Sequence, residues 1–255
     1  MSSTISITLG EVAASLALIA VAIAVSFWRR AELEQDIAVA VLRSFIQLTA
    51  VGYVIQAIFD TDSLWLVVAL LAGMVAFGTW TARGRASGVP EVTGPILLAL
   101  AVAAAVTLGL VVGLGVFKAE PRYLVPVGGM VIGNSMTAVA VTLNRLADEM
   151  HDGRRQIEAM LALGATSQQA ARAIVARSLR SGMIPLVDST KTTGIVFFPG
   201  TMVGMLVAGA EPVDAVRLQM VLLWVLLGAV ALAGLIAVSF GYRGFFTDAH
   251  QLRDT

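Results

Sequence analysis

A chain of 255 residues that is 58% apolar and only 13% charged, with a mean hydropathy of +0.86, has too little polar surface to coat a soluble globule of this size. It reads as an integral membrane protein. A formal net charge of zero without a basic stripe or acidic tail argues against a nucleic-acid partner, and the absence of cysteine excludes disulfide staples and thiolate metal sites.

Apolar runs of about 20 residues, enough for a hydrocarbon core of roughly 30 Å, predict an all-α membrane domain of about seven helices. In chain order these are Leu9 to Trp28, Ile37 to Phe59, Leu64 to Ala82, Gly94 to Phe117, Leu124 to Leu143, Met183 to Ala210 and Val216 to Phe240. Continuous hydropathy without ten-residue alternation argues against a barrel. No linker, composition shift or internal repeat divides the chain, so residues 1–255 form a single domain. The first run lacks the basic flank of a secretory signal and is expected to be retained as a span. Of the 17 Lys and Arg, Lys118, Arg122 and Arg217 lie on one side of this arrangement, and Arg43 and Lys191 lie within spans. The others follow the first, third, fifth and seventh spans, so the positive-inside rule puts the N-terminus outside and the C-terminus in the cytoplasm.

Within the second span, Arg43 and Gln47 share a face at i, i+4. Arg43 is about two turns from the cytoplasmic end, where it suits a snorkelling anchor or a substrate contact. In the fifth span, Gly128, Gly129 and Gly133 permit close helix approach, and Asn134 and Ser135 add hydrogen-bonding groups near its middle. The polar segment 144–182 is placed in the cytoplasm. Ile157, Met160, Leu161 and Gly164 recur there at the spacing of one helical face. That pattern suits either an interfacial helix on the inner leaflet, with Arg172, Arg177 and Arg180 toward anionic headgroups, or a docking knob for a soluble partner. Gly164 then supplies a stop, and Thr166 with Gln169 forms a capping box that opens the next helix.

Asp188 and Lys191 carry full charges into the sixth apolar run and share one helical face at i, i+3. Ionised groups at that depth face a bundle interior or a water-filled path. Two roles remain open: an ion pair that sets helix packing, or a pathway in which Asp188, alone or with Asn134 and Ser135, gives oxygen ligands to a hard cation while Lys191 limits its affinity. Met130 and Met136 could add thioether ligands or simply fill the core. Pro199 and Gly200 interrupt a run longer than one crossing needs, which marks a kink or break and a candidate hinge.

Glu158, Ala159 and Gly164, followed by nine residues and Ile174, resemble the coupling-helix motif of ATP-binding-cassette permeases. Met160 stands where that motif has a second Ala, and Arg177 where it has Pro. Three further stretches resemble the FetB-type permeases, small transporter subunits linked to iron export whose family includes plant proteins linked to aluminium tolerance. They are LEQDIAVAVLRSFIQLTAVGYV from Leu33, PVGGMVIGNSMTA from Pro126 and IPLVDSTKTTGIVFFPGTMVGMLVAG from Ile184. The resemblance implies a non-catalytic, multi-pass permease of a cell membrane, a bacterial inner membrane. It would pair as a homodimer and be powered by a separate ATPase subunit that carries the ATP and Mg. It assigns coupling to Glu158, Ala159, Leu163, Gly164 and Ala165. The sequence contains no Gly-x4-Gly-Lys-Ser/Thr loop, so any ATP chemistry must come from another chain.

Other classes fit less well. A retinal protein would need a chromophore box, and the intramembrane lysine falls in the sixth span of a chain with only 7% aromatics. A Ser-His hydrolase would need a histidine at depth, but His151 and His250 lie in polar segments. A self-contained channel or an ion-coupled carrier is the competing reading, though carriers built from two related halves show a repeat.

Overall fold

The computed structural model describes residues 8–247 and 249–253. The N-terminal tail that the charge rule puts outside the membrane, residues 1–7, lies outside the described residues. Among the described residues the chain forms the α-helices α1 (Leu9–Arg29), α2 (Glu34–Thr61), α3 (Leu64–Arg85), α4 (Thr93–Gly113), α5 (Pro121–Asp152), α6 (Arg154–Ala162), α7 (Ser167–Thr192), α8 (Gly200–Val207) and α9 (Pro212–Gly241). Six of these are long and apolar enough to cross a membrane, α1 to α5 and α9. The protein is a multi-pass membrane protein.

The expected sixth span does not form as one helix. Met183 to Ala210 divides into the last part of α7, an irregular segment from Thr193 to Pro199, and α8. The α7 ladder ends where the Thr193 N–H donates to Ser189 O at 3.0 Å, and the Thr192 carbonyl then accepts from Ile195, Val196 and Phe197 at 3.3, 3.0 and 3.4 Å. Gly194 makes this turn with φ +87°, a backbone region that costs glycine little. The interruption expected at Pro199 and Gly200 therefore begins at Thr193, and Pro199 closes it as the N-cap of α8.

The polar segment forms as helix, turn, helix. α5 runs on past the apolar stretch to Asp152, α6 follows, and Gly164 turns the chain at φ +89°. The capping box at Thr166 is present: its Oγ1 accepts the Gln169 N–H at 3.3 Å, and the Thr166 N–H donates to Gln169 Oε1 at 2.9 Å.

α5 is the central element and packs against α3, α4, α7 and α9. Its fully buried Val131, Val139, Leu143 and Leu146 meet Ile96 and Leu100 of α4 and Ala229, Ala233 and Ala237 of α9 in one core. The α1–α2 hairpin stands apart. Its turn is fixed by Ser26, whose Oγ donates to Glu34 Oε1 at 2.8 Å and accepts the Leu33 N–H at 3.1 Å. α2 reaches the bundle near its C-terminal end, where Ile58 joins Val67 of α3 and Val125 of α5. After α9, a 3-10 turn at Tyr242–Phe245 leads to a tail that folds back, with the Arg253 N–H donating to Phe245 O at 2.8 Å and its guanidinium 3.1 Å from Glu91.

Candidate functional site

Of the polar candidates, Asp188 and Lys191 lie on α7, and Asn134 and Ser135 on α5. Asp188 and Lys191 form the expected i, i+3 pair, with Lys191 Nζ 3.1 Å from Asp188 Oδ1. Both side chains stand open in the single chain, at 61% and 68% exposure. With Arg180, Met183, Ile184 and Val187 they line a cleft of about 640 Å³. Facing lipid, a charged pair so exposed would cost several kcal/mol.

Asn134 lies in a different cleft. It lines a space of about 190 Å³ between α5, α7 and α9 with Thr137, Gly182, Pro185, Leu186 and Ser189. Its Nδ2 donates to Met130 O at 2.8 Å, and among the described residues its amide oxygen accepts no hydrogen bond. Asp188 and Lys191 line the other cleft and not this one. The structure thus does not bring Asn134 and Asp188 together around one ligand. Ser135 is fully buried and its Oγ has no partner among the described residues, so it faces the bundle interior and not the Asn134 cleft.

The remaining candidates are spread out. Arg43 is exposed on α2 with its guanidinium 5.6 Å above the Phe77 ring of α3, a cation–π contact. Gln47 is exposed one turn further on. Met130 and Met136 are half-buried against the core, and neither lines the Asp188 cleft. Among the described residues no group of three or more His, Cys, Asp or Glu side chains could hold a metal ion. Of the glycines expected to let helices touch, Gly128 packs on Leu71 of α3 and Leu108 of α4, and Gly129 on Met74, whereas Gly133 meets nothing within 4 Å.

The residues assigned to coupling lie on α6 and the turn after it. Ile157, 1% exposed, anchors this helix to the core, and Leu163 at its C-cap is 89% exposed. Glu158 pairs with Arg154 at 2.9 Å along the helix. Ala159 and Gly164 are exposed and Ala165 is half-buried. The result is a small knob with an apolar tip and a fixed base.

Two features escaped the sequence reading. Glu149 of α5 accepts hydrogen bonds from Arg145 on its own helix at 2.6 Å and from Arg177 of α7, Nη2 at 2.6 Å and Nε at 2.8 Å. Gly182 of α7 is fitted so closely to α5 that a Cβ there would overlap Thr142 Oγ1 and lie 2.7 Å from the Ala138 carbonyl oxygen. The Arg145–Glu149 spacing was readable as i, i+4; its partner across the helices was not.

The family described as "Uncharacterised protein family (UPF0014)" matches residues 9–246. The chain belongs to this family. It is 38% identical over 242 residues to "UPF0014 membrane protein STAR2" of Oryza sativa subsp. japonica, covering 94% of this chain and 85% of the relative. With "Protein ALUMINUM SENSITIVE 3" of Arabidopsis thaliana it shares 37% over 242 residues, 94% of this chain and 88% of that one. With "Probable iron export permease protein FetB" of Escherichia coli (strain K12) it shares 35% over 246 residues, 96% of this chain and 95% of the relative. No solved structure matches the chain. The family match at residues 9–246 spans α1 to α9.

Proposed function

We propose that this protein is the membrane permease subunit of an ATP-binding-cassette transporter that exports iron or a related metal cation, driven by a separate ATPase subunit. The observation that carries the reading is α6: a short helix held at its base by buried Ile157, with Leu163 89% exposed at its tip. An exposed apolar tip on a fixed base is what a groove on a soluble partner takes up. The 35% identity to a probable iron export permease supports the cargo. ATP and Mg reside on the partner in this reading, and the permease performs no covalent chemistry.

Two copies enclose the path. The Asp188–Lys191 side of α7 is continuous with the irregular segment Thr193 to Pro199, where Ile195 and Val196 are 86% and 78% exposed. Non-helical backbone at membrane depth is tolerated where protein buries it or where it lines a water-filled cavity. A second copy facing this side of α7 provides both, with Asp188 as the cation contact and Lys191 as its counter-charge. Closure of the ATPases then tilts α6 and switches the spans between inward-open and outward-open states.

Deleting residues 158–166 tests the docking role. The account expects the ATPase to be lost while the permease still inserts in the membrane. An ATPase that stays bound to the deletion variant refutes the assignment, and transport by the purified chain alone favours the channel or carrier.

A further inference from the structure

We infer that Glu149 and Arg177 are positioning residues that join the cytoplasmic ends of α5 and α7 into one lever, so that movement of α6 is delivered to both walls of the Asn134 cleft at once. The inference rests on the permease reading above, and adds how the coupling helix would act on the membrane part.

α6 is only nine residues long and is tied to α5 through Gly153 and to α7 through the turn from Leu163 to Thr166. Such short joints swivel unless something fixes them. At the α5 joint a side chain would force a shift, because a Cβ on Gly153 would lie 2.8 Å from Glu149 O. Beside that joint stands the Glu149 carboxylate, 13% exposed. Its two oxygens are divided. Oε1 takes Arg145 from the same helix, and Oε2 takes two donors from Arg177 across the gap. Charge-assisted pairs of this kind fix geometry more than they stabilise the fold.

Further along, Gly182 of α7 seats against Thr142 and Ala138 of α5. The two helices are thus joined at two levels, and two levels define a rigid body. Gly182 and Ala138 also line the near end of the Asn134 cleft. Pro185 lies inside α7, has no N–H to give the Ser181 carbonyl and weakens the helix there. At that level the cleft lined by Asn134, Thr137, Pro185 and Ser189 opens. The lever is therefore fixed on the α6 side of Gly182 and free to bend beyond it, and Pro185 is the bend.

Arg145 supplies the control, since its pair with Glu149 lies within α5 and joins nothing to α7. The chain has no cysteine, so a single Thr137→Cys reports on the cleft by its rate of maleimide labelling. The experiment uses the permease with its native ATPase in lipid nanodiscs, with and without ATP and vanadate. In the otherwise unchanged chain, ATP and vanadate should alter the rate by about fivefold, the scale of a shifted two-state population. Arg177→Gln should reduce that change to under about twofold while the ATPase still copurifies, Arg145→Gln should keep it, and Arg177→Lys should restore at least about half. A full response in Arg177→Gln, an equal loss in Arg145→Gln, or no response in the unchanged chain overturns the lever and leaves the permease reading standing. Failure of any ATPase to copurify with the unchanged chain overturns both.

Discussion

Half of the apolar window of α9 is buried within the chain, and none of that of α2 is. Both helices are apolar enough to span a membrane. In α9, Ala229, Ala233 and Ala237 are fully buried at one-turn intervals and let α4 and α5 approach closely. In α2, Leu42, Phe45, Ile46 and Leu48 are all more than half exposed. Hydropathy therefore reports which solvent a helix lives in, and burial reports which helices it touches. The two regions divide the labour: α4, α5 and α9 form the scaffold, while the α1–α2 hairpin is attached near Ile58 and leaves its remaining surface for lipid or a neighbouring subunit.

The sharpest test compares equal truncations in the two regions. Leu143→Ala in α5, fully buried and seated on Gly241 of α9, should cost about 3 kcal/mol of stability. Leu42→Ala, 61% exposed on α2, should stay within about 0.5 kcal/mol. Denaturation in mixed micelles reads both, and similar values would mean that the hairpin is packed more tightly than its burial indicates.

Glycines sharpen the same contrast. Gly182→Ala forces a methyl group into Thr142 and should cost about 2 kcal/mol by overpacking. Gly52→Ala in α2, with nothing within 4 Å of the new atom, should be neutral or stabilise by up to about 1 kcal/mol. A thermal shift of the same sign and size at both positions would contradict the close seam between α5 and α7.

The Asp188–Lys191 side of α7 gives a third comparison. Asp188→Asn should reduce iron-stimulated ATP hydrolysis by about tenfold, equivalent to about 1.4 kcal/mol of lost interaction, with little change in the melting of a side chain that is 61% exposed. Unaltered stimulation would move the cation contact elsewhere. The smallest effect is expected at the cap: Thr166→Ala removes the hydrogen bond to the Gln169 N–H and should cost about 1 kcal/mol. Hydrogen exchange confined to the first turn of α7 would read it, and an unchanged exchange rate there would show that tertiary packing, not the cap, holds the turn.

What the sequence made legible follows the range of the forces involved. The six long spans were readable because hydropathy is a local property summed over one helix. The Thr166–Gln169 capping box and the Asp188–Lys191 pair were readable because they are set three residues apart. The break in the sixth run was placed too late because Pro199 is the conspicuous signal, whereas Gly194 and the Thr192 carbonyl end the helix sooner. The separation of Asn134 from Asp188 was hidden, since it depends on which side of α7 meets α5. The Glu149–Arg177 pair joins positions 28 residues apart, and no periodicity in either helix announces it.

The central claim is that this chain works as half of a membrane pathway driven by a separate ATPase. Native mass spectrometry of the complex extracted from its own membrane in gentle detergent tests it most directly. The account predicts an assembly of two permease chains with two copies of a P-loop ATPase, and loss of the ATPase alone when residues 158–166 are deleted. A homo-oligomer without ATPase, under conditions that keep other transporter complexes intact, would contradict it and point to a channel or carrier centred on Asp188 and Lys191.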